Sequence, residues 1–499
     1  MPNNSLPTLS RQYLNELRRA GSGSLELPPE AQFSAPEAIL QLGFGKFMRG
    51  YTPDFVQLAN SDERYSGRII SVQRKADHRS EASARQDTLY TLALRGIERG
   101  RVKEVKRIIG SVSRLLVAER DWDRIVEATN KPTLCVILSN ATETGLTLDP
   151  TDRPDSKPPR SFPGKLTGLL FERWRATRGR DADVAVIPTE LVLNNGPLVQ
   201  GLIIEQARAW NLGAAFLGWA QKSVHVASTL VDRIVVGTPR EDLLAEECRA
   251  VGYRDDLLTC GETFYLFAIN ADEFTRRHFP MHLASPNVRY VDDLAPYRWR
   301  KLRVLNGPQM VLATLGTLLD FRIIREAVED PQVGAFTQQT VWQEIIPAMG
   351  PAEEALNMDY ARECLERIGN PHIEHQLQGI RVDLTAKNSI RLIPSVRDFL
   401  ACRDDLPGRL LLTLAATLEA VLRGGLEDAH AGYILDRWAA ADTHSPDSLL
   451  TFTRESLAHL STETREPLDV DRIAPEVRDL LVEIRAHGLR ALLARRYGL

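Results

Sequence analysis

Cysteine is scarce in this sequence, and its few cysteines lie far apart. Five occur among 499 residues, namely Cys135, Cys248, Cys260, Cys364 and Cys402, and no two of them form a C-x-x-C pair. This spacing argues against a disulfide framework and against a structural zinc site, so we expect no bound metal. Isolated cysteines are typical of a reducing compartment, and the sequence predicts a cytoplasmic protein.

Long hydrophobic runs are also missing. A helix that spans a bilayer needs roughly 18 to 20 apolar residues, and the best candidate, 410–422, is interrupted by Glu419. Residues 1–20 carry Asn, Arg and Glu where a signal peptide would need an apolar stretch. We therefore expect neither a membrane span nor a secretory leader.

Charge of one sign is not in excess either. Lys and Arg total 62 against 66 Asp and Glu, which gives a net charge of −4 at pH 7. Nucleic acids and anionic membrane surfaces usually select a basic excess, so we expect neither as the main partner. Because 43% of the residues are hydrophobic and 26% are charged, the composition predicts a globular protein with a large core rather than a disordered chain.

Short apolar segments alternate with helical patterns in the N-terminal part of the chain. They are bounded by Gly, Pro, Asn or charged residues, which predicts strands buried on both faces of a parallel sheet with helices between them. The segment 149–160 is rich in Pro, Asp, Arg and Lys and predicts an exposed loop. The predicted strands are 39–42, 68–72, 134–138, 184–187, 263–269 and 288–291.

Few strand signals remain beyond residue 296. The stretches 303–319, 408–422 and 475–493 carry apolar residues at helical spacing. In the last stretch Val477, Leu480, Leu481 and Ile484 share one face of a helix. The predicted fold class is therefore an α/β domain over residues 1–296, followed by a mostly α-helical domain over residues 297–499.

Two glycines, Gly43 and Gly45, follow the first predicted strand. Gly43 permits a tight turn and Gly45 lets the backbone approach a pyrophosphate, while the next helix offers N–H groups to the phosphates. The third glycine of the G-x-G-x-x-G motif is absent, because Met48 stands in its place. The motif fits a dinucleotide site, and it fits an ordinary strand-to-helix turn equally well.

The second predicted strand ends without the acid that commonly binds the ribose hydroxyls of NAD. The sequence continues Val72-Gln73-Arg74-Lys75, and its first carboxylate is Asp77. Arg74 or Lys75 could receive the 2′-phosphate of NADP, or could lie at a solvated loop edge. The sequence thus leaves the choice between NAD and NADP open.

The most informative stretch is 297–309. On an α-helical wheel Lys301, Leu305, Asn306 and Gln309 lie within an arc of about 140°, so the polar members could face one cleft. A lysine acts as a general acid or base when desolvation lowers its pKa toward neutrality, and an amide can donate to an oxygen that becomes an alkoxide. From the spacing alone, a surface lysine beside a capping asparagine is the commoner outcome.

These residues resemble a known family, the long-chain mannitol dehydrogenases. Lys301-Leu-x-x-Leu-Asn306-Gly307 is similar to the family signature K-L-x-x-L-N-G-x-H, and the glycine turn with Phe47 and Arg49 is similar to its G-x-G-x-F-x-R. Further motifs follow in the family's order: Leu138-Ser-Asn140-Ala-Thr142-Glu143-Thr-Gly145, Ser161-Phe-Pro-Gly-Lys165-Leu, Ser228-Thr-Leu-Val-Asp232-Arg233-Ile-Val, Val291-Asp-Asp293, Glu344-Ile-Ile-Pro347 and Asn370-Pro371-His372-Ile-Glu-His375-Gln-Leu.

The resemblance implies an NAD(H)-dependent oxidoreductase with a Rossmann-type N-terminal domain and a mostly α-helical C-terminal domain. It implies that Lys301 is the general acid/base and that Asn306 polarises the substrate oxygen. It also places Asn140 and Glu143 near the nicotinamide or the substrate, although a loop-capping role is equally open for both. Together with Arg74, the residues expected to bind the cofactor are Gly43, Gly45, Phe47, Arg49, Asn140 and Glu143.

Within the family, the motifs are most similar to the branch that interconverts D-tagaturonate and D-altronate. The branches that act on fructuronate or on polyols are alternatives, and so is a nucleotide- or sugar-acid-binding protein without turnover. One departure is Gln309, which stands in place of the family histidine and cannot titrate, directly after Pro308, which disturbs a helix. The second is Leu191, which stands where polyol-oxidising relatives carry an asparagine, and this favours the uronate branch.

A uronate carries a carboxylate, so its pocket needs a cation or a protonatable donor. His375 and Lys387 are the candidates, together with Gln309 as a further substrate contact. Each has an equally plain structural explanation, since lone histidines usually serve packing and Lys387 could be solvated. The expected partner is a small sugar acid or polyol, and the oligomeric state stays open.

Overall fold

A computed structural model describes residues 6–98, 100–142, 145–371, 375–462 and 468–499 of the chain. It divides into two compact units. The first contains Val102–Ala295 and the residues before Ile97, and the second contains Pro296–Leu499 and the short segment Ile97–Arg101.

The strands all lie wholly or mostly in the first unit. They are β1 (Leu25–Glu26), β2 (Glu37–Leu42), β3 (Arg68–Gln73), β4 (Tyr90–Glu98), β5 (Arg101–Ile109), β6 (Val112–Val117), β7 (Val136–Ser139), β8 (Val184–Pro188), β9 (Val224–Val226), β10 (Ser228–Asp232), β11 (Val235–Gly237), β12 (Thr259–Gly261), β13 (Leu266–Asn270) and β14 (Val288–Tyr290). The helices of this unit are α1 (Arg11–Ala20), α2 (Lys46–Arg49), α3 (Thr52–Ala59), α4 (His78–Arg85), α5 (Ala118–Thr129), α6 (Phe162–Thr177), α7 (Asn195–Ala209), α8 (Ala214–Ser223), α9 (Glu241–Val251) and α10 (Glu273–His278).

The central element is a six-stranded sheet in the order β6-β3-β2-β7-β8-β9. Its neighbouring strands pair in parallel throughout. Numbered by their appearance within the sheet, the strands run third, second, first, fourth, fifth and sixth, which is the dinucleotide-binding order of a Rossmann-type fold. The predicted α/β class is confirmed, and the predicted strands at 39–42, 68–72, 134–138 and 184–187 are present as β2, β3, β7 and β8.

Burial explains why these segments read as continuous apolar runs. Ile39 and Leu40 on β2 point to opposite faces and are both fully buried, each in a different apolar cluster. One cluster lies between the sheet and α5 to α8, and the other lies between the sheet, α3 and strands β13 and β14. A strand covered on both faces has no polar side to show in its sequence.

Two smaller sheets complete the unit, in the orders β1-β5-β4-β12-β11 and β10-β13-β14. The first of these was not predicted. Strand β5 has the sequence Arg-Val-Lys-Glu-Val-Lys-Arg-Ile-Ile, and its first four residues are exposed. A charged, one-sided strand of this kind lacks the apolar run by which the other strands were recognised.

The second unit is helical in its described residues apart from the end of the β4–β5 hairpin. Its helices are α11 (Ala295–Arg300), α12 (Gly307–Leu318), α13 (Ile324–Glu329), α14 (Pro331–Thr340), α15 (Ile346–Ala348), α16 (Glu354–Ile368), α17 (Leu377–Arg381), α18 (Leu384–Arg391), α19 (Ile393–Cys402), α20 (Gly408–Arg423), α21 (Ala431–Ala440), α22 (Pro446–Ser461), α23 (Val470–His487) and α24 (Leu489–Tyr497). Two turns of π-helix, Lys301–Asn306 and Val341–Ile345, interrupt the α-helical segments.

One large apolar cluster forms the core of this unit. The predicted helix at 408–422 is present as α20 at its centre, and Glu419 is buried there with ion pairs to Arg423 and Arg485. No helix among the described residues is long and apolar enough to cross a membrane. The predicted helix at 475–493 is instead two helices, because Gly488 turns the chain between α23 and α24 at a φ of +79°.

Candidate active site

The glycine turn lies at the carboxyl end of β2, in the middle of the six-stranded sheet. Gly43 has a φ of +141°, and its N–H donates to the carbonyl oxygen of Val72 on β3 at 2.9 Å. Gly45 is the N-cap of α2, and no atom lies within 4 Å of the position that a Cβ would take there. The first glycine therefore meets a backbone requirement, and the second leaves open space in front of the turn.

The helix after the turn is short. Helix α2 has four residues with Gly50 as its C-cap, and α3 begins at Thr52, with Pro53 as its second residue. A Cβ at Gly50 would lie 2.6 Å from the side chain of Val235. The glycine between the two helices therefore allows Val235 to pack closely against the backbone. No side chain caps α2, and its first N–H groups have no acceptor within the helix. Open space in front of uncapped N–H groups fits a dinucleotide phosphate.

Phe47 and Arg49, both predicted to bind the cofactor, face into the protein. Arg49 is 3% exposed and donates to the carbonyl oxygen of Phe44 and to Thr259 Oγ1, each at 3.0 Å, and burial lowers its pKa. The ring of Phe47 stacks on Tyr51 with centroids 4.7 Å apart. The two side chains support the turn from behind, and direct contact with a cofactor stays a prediction for both.

Cations follow the end of β3, next to the glycine turn. Arg74 and Lys75 are exposed, and Lys75 Nζ lies 3.6 Å from a carboxylate oxygen of Glu119. Asp77, the first acid after the strand, caps α4 by accepting from the N–H of Arg79 at 2.8 Å. The side chain of Arg79 also pairs with Asp77, and these hydrogen bonds hold the pKa of Asp77 far below its ordinary value.

The ends of β7 and β8 form a buried polar network around Glu190, which sequence reasoning did not select. Its carboxylate accepts from the N–H of Ala141 at 2.9 Å and from Ser139 Oγ at 3.1 Å. Burial to 2% exposure raises its pKa. The predicted residue Asn140 lies at the same strand end and donates to the carbonyl oxygen of Thr189 at 3.1 Å. The sequence signal for Glu190 was its place directly after a buried strand.

Two further predictions concern this edge of the sheet. Glu143 lies outside the described residues. Leu191, which stands where polyol-oxidising relatives carry an asparagine, is 67% exposed.

Lys301 and Asn306 lie at the two ends of the π-helical turn Lys301–Asn306. The α-helix assumed from the sequence would separate their directions by about 140°. A π-helix bonds residue i to residue i+5 and has more residues per turn than an α-helix, so the angle between these two residues is smaller than in an α-helix. The polar pair is therefore closer in direction than the helical wheel indicated, because the helix is wider here.

The helix narrows to α-helical geometry after the π-turn and brings in a third polar residue. Asn306 Nδ2 donates to Gln309 Oε1 at 3.1 Å, and Gln309 is 7% exposed. Pro308 has no backbone N–H, so one main-chain hydrogen bond of the helix is missing at this residue. The structure thus joins Asn306 and Gln309 by a hydrogen bond, with Lys301 at the start of the π-turn that precedes them, and the grouping of Lys301 with these two residues stays a prediction.

The arginines on either side of Lys301 have partners elsewhere in the unit. Arg300 donates to Asn357 Oδ1 at 2.9 Å and pairs with Glu353. Arg303 is 7% exposed and pairs with Asp398 on α19. Lys301 itself is half-buried. The neighbouring positive charges are compensated by acids on other elements, which anchors the turn on both sides of the lysine.

Helix α18 packs against the π-turn and carries one predicted and one unpredicted cation. Lys387 Nζ donates to the carbonyl oxygens of Ile380 at 3.0 Å and Val382 at 2.5 Å, so it closes the end of α17. Arg391, which sequence reasoning missed, donates to the sulfur of Met310 at 3.3 Å, one residue beyond Gln309.

His375 is the last predicted substrate residue. Its side chain is half-buried, and its carbonyl oxygen accepts from the N–H of Ile324 at 3.0 Å. This backbone hydrogen bond joins His375 to the start of α13, and contact of its side chain with a substrate stays a prediction.

Known proteins share both units of this architecture. The model of the mannitol dehydrogenase Rossmann domain matches residues 37–282, and the model of the mannitol dehydrogenase C-terminal domain matches residues 293–434. The class of protein that the fold and these matches define is a Rossmann-type dehydrogenase of the polyol and sugar-acid kind. The chain belongs to the mannitol dehydrogenase family, as its motifs predicted.

Individual relatives agree with this assignment. The chain is 34% identical to altronate oxidoreductase of Bacillus subtilis (strain 168) over 384 residues, covering 77% of this chain and 79% of that one. It is 31% identical to altronate oxidoreductase of Yersinia enterocolitica over 474 residues, covering 92% of this chain and 97% of that one.

Two solved structures share the fold across the whole chain. D-Sorbitol dehydrogenase in substrate-free form superposes with a TM-score of 0.78 at 20% identity, covering 97% of this chain and 100% of its own. Mannitol 2-dehydrogenase of Pseudomonas fluorescens, in a ternary complex with NAD and D-mannitol, gives a TM-score of 0.72 at 19% identity, covering 97% and 98%.

Proposed function

We propose that this protein is a nicotinamide-dinucleotide-dependent oxidoreductase that reduces a keto-hexuronate, D-tagaturonate, to D-altronate and catalyses the reverse oxidation. The observation that carries the proposal is the hydrogen-bonded pair Asn306 and Gln309, which directly follows the π-turn that begins at Lys301. The name of the altronate oxidoreductases, at 31% to 34% identity, supports the substrate. Residues 1–296 would hold the cofactor, and residues 297–499 would supply the proton donor.

The glycine turn fits the cofactor. The uncapped first turn of α2 and the space in front of Gly45 suit a pyrophosphate, with Gly43 setting the turn and Asn140 at the neighbouring strand end. When bound, the dinucleotide supplies or accepts the hydride. The mannitol 2-dehydrogenase structure with NAD shows that this fold accommodates such a cofactor.

The lysine and the amide divide the remaining chemistry between them. In the reducing direction the Lys301 ammonium donates a proton to the carbonyl oxygen of the substrate as that oxygen becomes an alkoxide. Asn306 donates a hydrogen bond to the same oxygen, which stabilises the developing negative charge. In the oxidising direction the neutral amine of Lys301 takes the hydroxyl proton back.

Gln309 positions Asn306 in this scheme. Its Oε1 accepts one Nδ2 proton of Asn306, which fixes the orientation of the amide and leaves the other proton for the substrate. A glutamine can hold this hydrogen bond at every pH, whereas the histidine of related enzymes can titrate. Glutamine in place of histidine therefore changes the pH dependence of the pocket and leaves Lys301 as the general acid/base.

The carboxylate of a uronate needs a cation. Arg300 and Arg303 at the π-turn pair with Glu353 and Asp398, and α18, which packs against this turn, carries two further cations. Arg391 reaches Met310 beside Gln309, and its fork of N–H groups matches a carboxylate. Lys387 donates to two carbonyl oxygens and has a clear structural role. Arg391 is therefore the stronger candidate for the carboxylate, with Lys387 and His375 as further candidates.

The experiment is a substrate panel with purified enzyme and reduced cofactor. Consumption of the reduced cofactor, followed by its absorbance, should be fastest with tagaturonate among tagaturonate, fructuronate, fructose and other keto-sugars. Lys301→Ala should abolish the signal, whereas Lys222→Ala, which removes an exposed lysine on α8, should not.

Other results would redirect the proposal. A higher kcat/KM for fructuronate or a hexitol would move the assignment to another branch of the family. Binding of cofactor without turnover of any substrate would indicate a silent binding protein. Full activity of Lys301→Ala would overturn the role of the lysine.

A further inference from the structure

A groove lies between α4 and β6, the edge strand of the central sheet. Its volume is about 700 Å³, which is within the range of small-molecule sites. Arg11, Phe33 and Arg68 line this groove together, and Ser83 lines it from α4. The proposed reaction uses none of these four residues.

These residues lie away from the glycine turn. Arg68 is the first residue of β3, and its register partner is Glu37 at the start of β2. The glycine turn contacts the other end of β3, at Val72. At about 3.3 Å per residue, about 13 Å of strand separates Arg68 from Val72. Arg11 and Phe33 also precede residue 37, where the match to the family's Rossmann domain begins. This part of the groove is therefore separate from the dinucleotide turn.

Two guanidinium groups share the ring of Phe33, which lies in the 3₁₀ turn Glu30–Ser34. The central carbon of the Arg11 guanidinium is 3.2 Å from the ring centroid, and that of Arg68 is 5.9 Å from it. Burial lowers the pKa of Arg68, Glu37 raises it, and the charge of Arg11 lowers it further. A bound anion would offset both the lost solvation and the repulsion between the two cations.

The guanidinium of Arg68 has one edge without a partner. Within the described part of the chain its single hydrogen bond runs from Nη1 to the carbonyl oxygen of Phe33, at 3.0 Å. Its Nε is shielded from solvent and has no acceptor there. Nε and Nη2 form the edge through which a guanidinium binds a carboxylate by two parallel hydrogen bonds. A buried donor without an acceptor costs free energy, which a bound carboxylate would recover.

The neighbouring cations already have carboxylate partners. Arg114 Nε lies 2.8 Å from Glu37 Oε1, and Arg11 Nη2 lies 3.5 Å from Glu30 Oε1. Arg68 has no ion pair with a described residue. The local charges therefore leave one cation to be balanced, which fits a ligand with a single negative charge.

The wall formed by α4 and the residues after it fits a hydroxylated ligand. Ser83 is 2% exposed, and its hydroxyl has no hydrogen-bond partner among the described residues. Glu81 and Asp87 also line the groove, and their carboxylates accept hydrogen bonds from hydroxyl groups. These two acids would repel a second negative charge, so a phosphate dianion fits the groove less well than a carboxylate.

The geometry points to a binding site for a small hydroxylated carboxylate, of the sugar-acid class, in the groove between α4 and β6. The Nε and Nη2 edge of Arg68 binds the carboxylate. Arg11 adds a second cation across the ring of Phe33, and Ser83 bonds a hydroxyl group. The site uses no residue of the proposed active site, so it stands whether or not the proposed function is correct.

Calorimetric titration with D-gluconate tests the site. Wild-type protein should bind D-gluconate about tenfold or more tightly than D-sorbitol, which has a hydroxymethyl group in place of the carboxylate. It should also bind D-gluconate more tightly than inorganic phosphate. Arg68→Met removes the fork of donors, so the Kd for D-gluconate should rise about tenfold or more, while the Kd for the dinucleotide stays unchanged.

A second variant keeps Arg68 in place. Ala84 lines the groove from an exposed position on α4, so Ala84→Glu adds a negative charge without removing a contact. It should weaken the binding of D-gluconate, whereas the neutral variant Ala84→Gln should not. The control for Arg68→Met is Arg208→Met, at an exposed arginine of α7, which should leave the Kd unchanged.

Three results would overturn the inference. They are no binding of D-gluconate, equally tight binding of D-sorbitol or inorganic phosphate, and a wild-type Kd for D-gluconate in Arg68→Met. Binding that is lost in Asn306→Ala and kept in Arg68→Met overturns it as well, because the ligand would then lie at the π-turn.

Discussion

At the glycine turn after β2 the main chain provides the binding groups, whereas on the helix with the π-turn Lys301–Asn306 the side chains provide them. The first site depends on a positive φ at Gly43, uncapped N–H groups of α2 and the lack of a side chain at Gly45. The second depends on the directions of Lys301, Asn306 and Gln309, which the helix type sets.

The difference shows how each site tolerates change. A backbone site is sensitive to added bulk, because a side chain at Gly45 would enter the space left for the ligand. A side-chain site is sensitive to lost donors, because removing the amide of Asn306 removes the hydrogen bond that it would donate to the substrate oxygen. The two sites should therefore fail in different measurements, the first in cofactor affinity and the second in kcat.

After the loss of activity expected for Lys301→Ala, the largest effect is expected at Asn306. Asn306→Ala removes the donor to the developing alkoxide, so kcat should fall by about 10² to 10³. Cofactor Kd should stay unchanged, since the residue lies in the second unit and the glycine turn in the first. Steady-state kinetics with tagaturonate, together with calorimetry of the cofactor, separate the two quantities. If Asn306→Ala instead weakens cofactor binding and leaves kcat unchanged, the proposed difference between the two sites is wrong.

The next effect is at Gly45. Gly45→Leu should fold normally, because its φ of −69° suits any residue and no atom lies within 4 Å of the new Cβ. The side chain would fill the space before the turn, so the cofactor Kd should rise about tenfold or more. The matched control is Gly201→Leu on α7, which also has open space at its Cβ. Equal Kd values for the two variants would show that the turn is not the cofactor site.

A smaller effect is expected at Gln309. Gln309→Leu removes the acceptor that orients Asn306, and kcat should fall about tenfold. Gln309→Glu keeps an acceptor and should retain most of the wild-type kcat, with KM little changed in both variants. Gln309→His should add a titration to the pH profile of kcat, because the new side chain ionises near neutrality. If the pH profile of kcat for Gln309→His is identical to that of wild type, residue 309 does not contact the groups that react.

The smallest effect concerns stability at Glu190. Its folded pKa is raised above the ordinary 4.5, so the folded protein binds more protons than the unfolded chain between those values. The free energy of unfolding should therefore fall as the pH rises through this window. Glu190→Gln removes the titration, so its unfolding free energy relative to wild type should rise from about pH 5 to about pH 8.

Urea unfolding at both pH values measures this difference. Glu205→Gln, at an exposed position on α7, is the control and should show no such pH dependence. A constant difference between wild type and Glu190→Gln across the range would mean that Glu190 ionises normally in the folded protein.

The sequence predicted the strands and helices whose apolar residues form a regular pattern along the chain. The buried strands β2, β3, β7 and β8 were recognisable because both of their faces are apolar, and the face of α23 was recognisable from Val477 to Ile484. Strand β5 was missed, since its exposed Lys and Glu residues carry no hydrophobic signal.

In the candidate site, too, some features could be predicted from the sequence and others could not. The glycines were found because few other residues allow their backbone geometry and close approach. The π-turn was not predicted, because the wheel assumed 3.6 residues per turn throughout. Arg391 was missed as a site residue because its contact with Met310 joins segments that are distant in sequence.

The most direct test of the account is chemical rescue of Lys301→Ala by small primary amines. Methylamine or ethylamine in the assay should restore part of the lost kcat, in a concentration-dependent way that follows the pKa of the added amine. The same amines should not restore Asn306→Ala, because that variant lacks a hydrogen-bond donor rather than a proton donor. Rescue limited to Lys301→Ala would confirm that an ammonium at residue 301 moves the proton. Wild-type kcat in Lys301→Ala without any amine would contradict it.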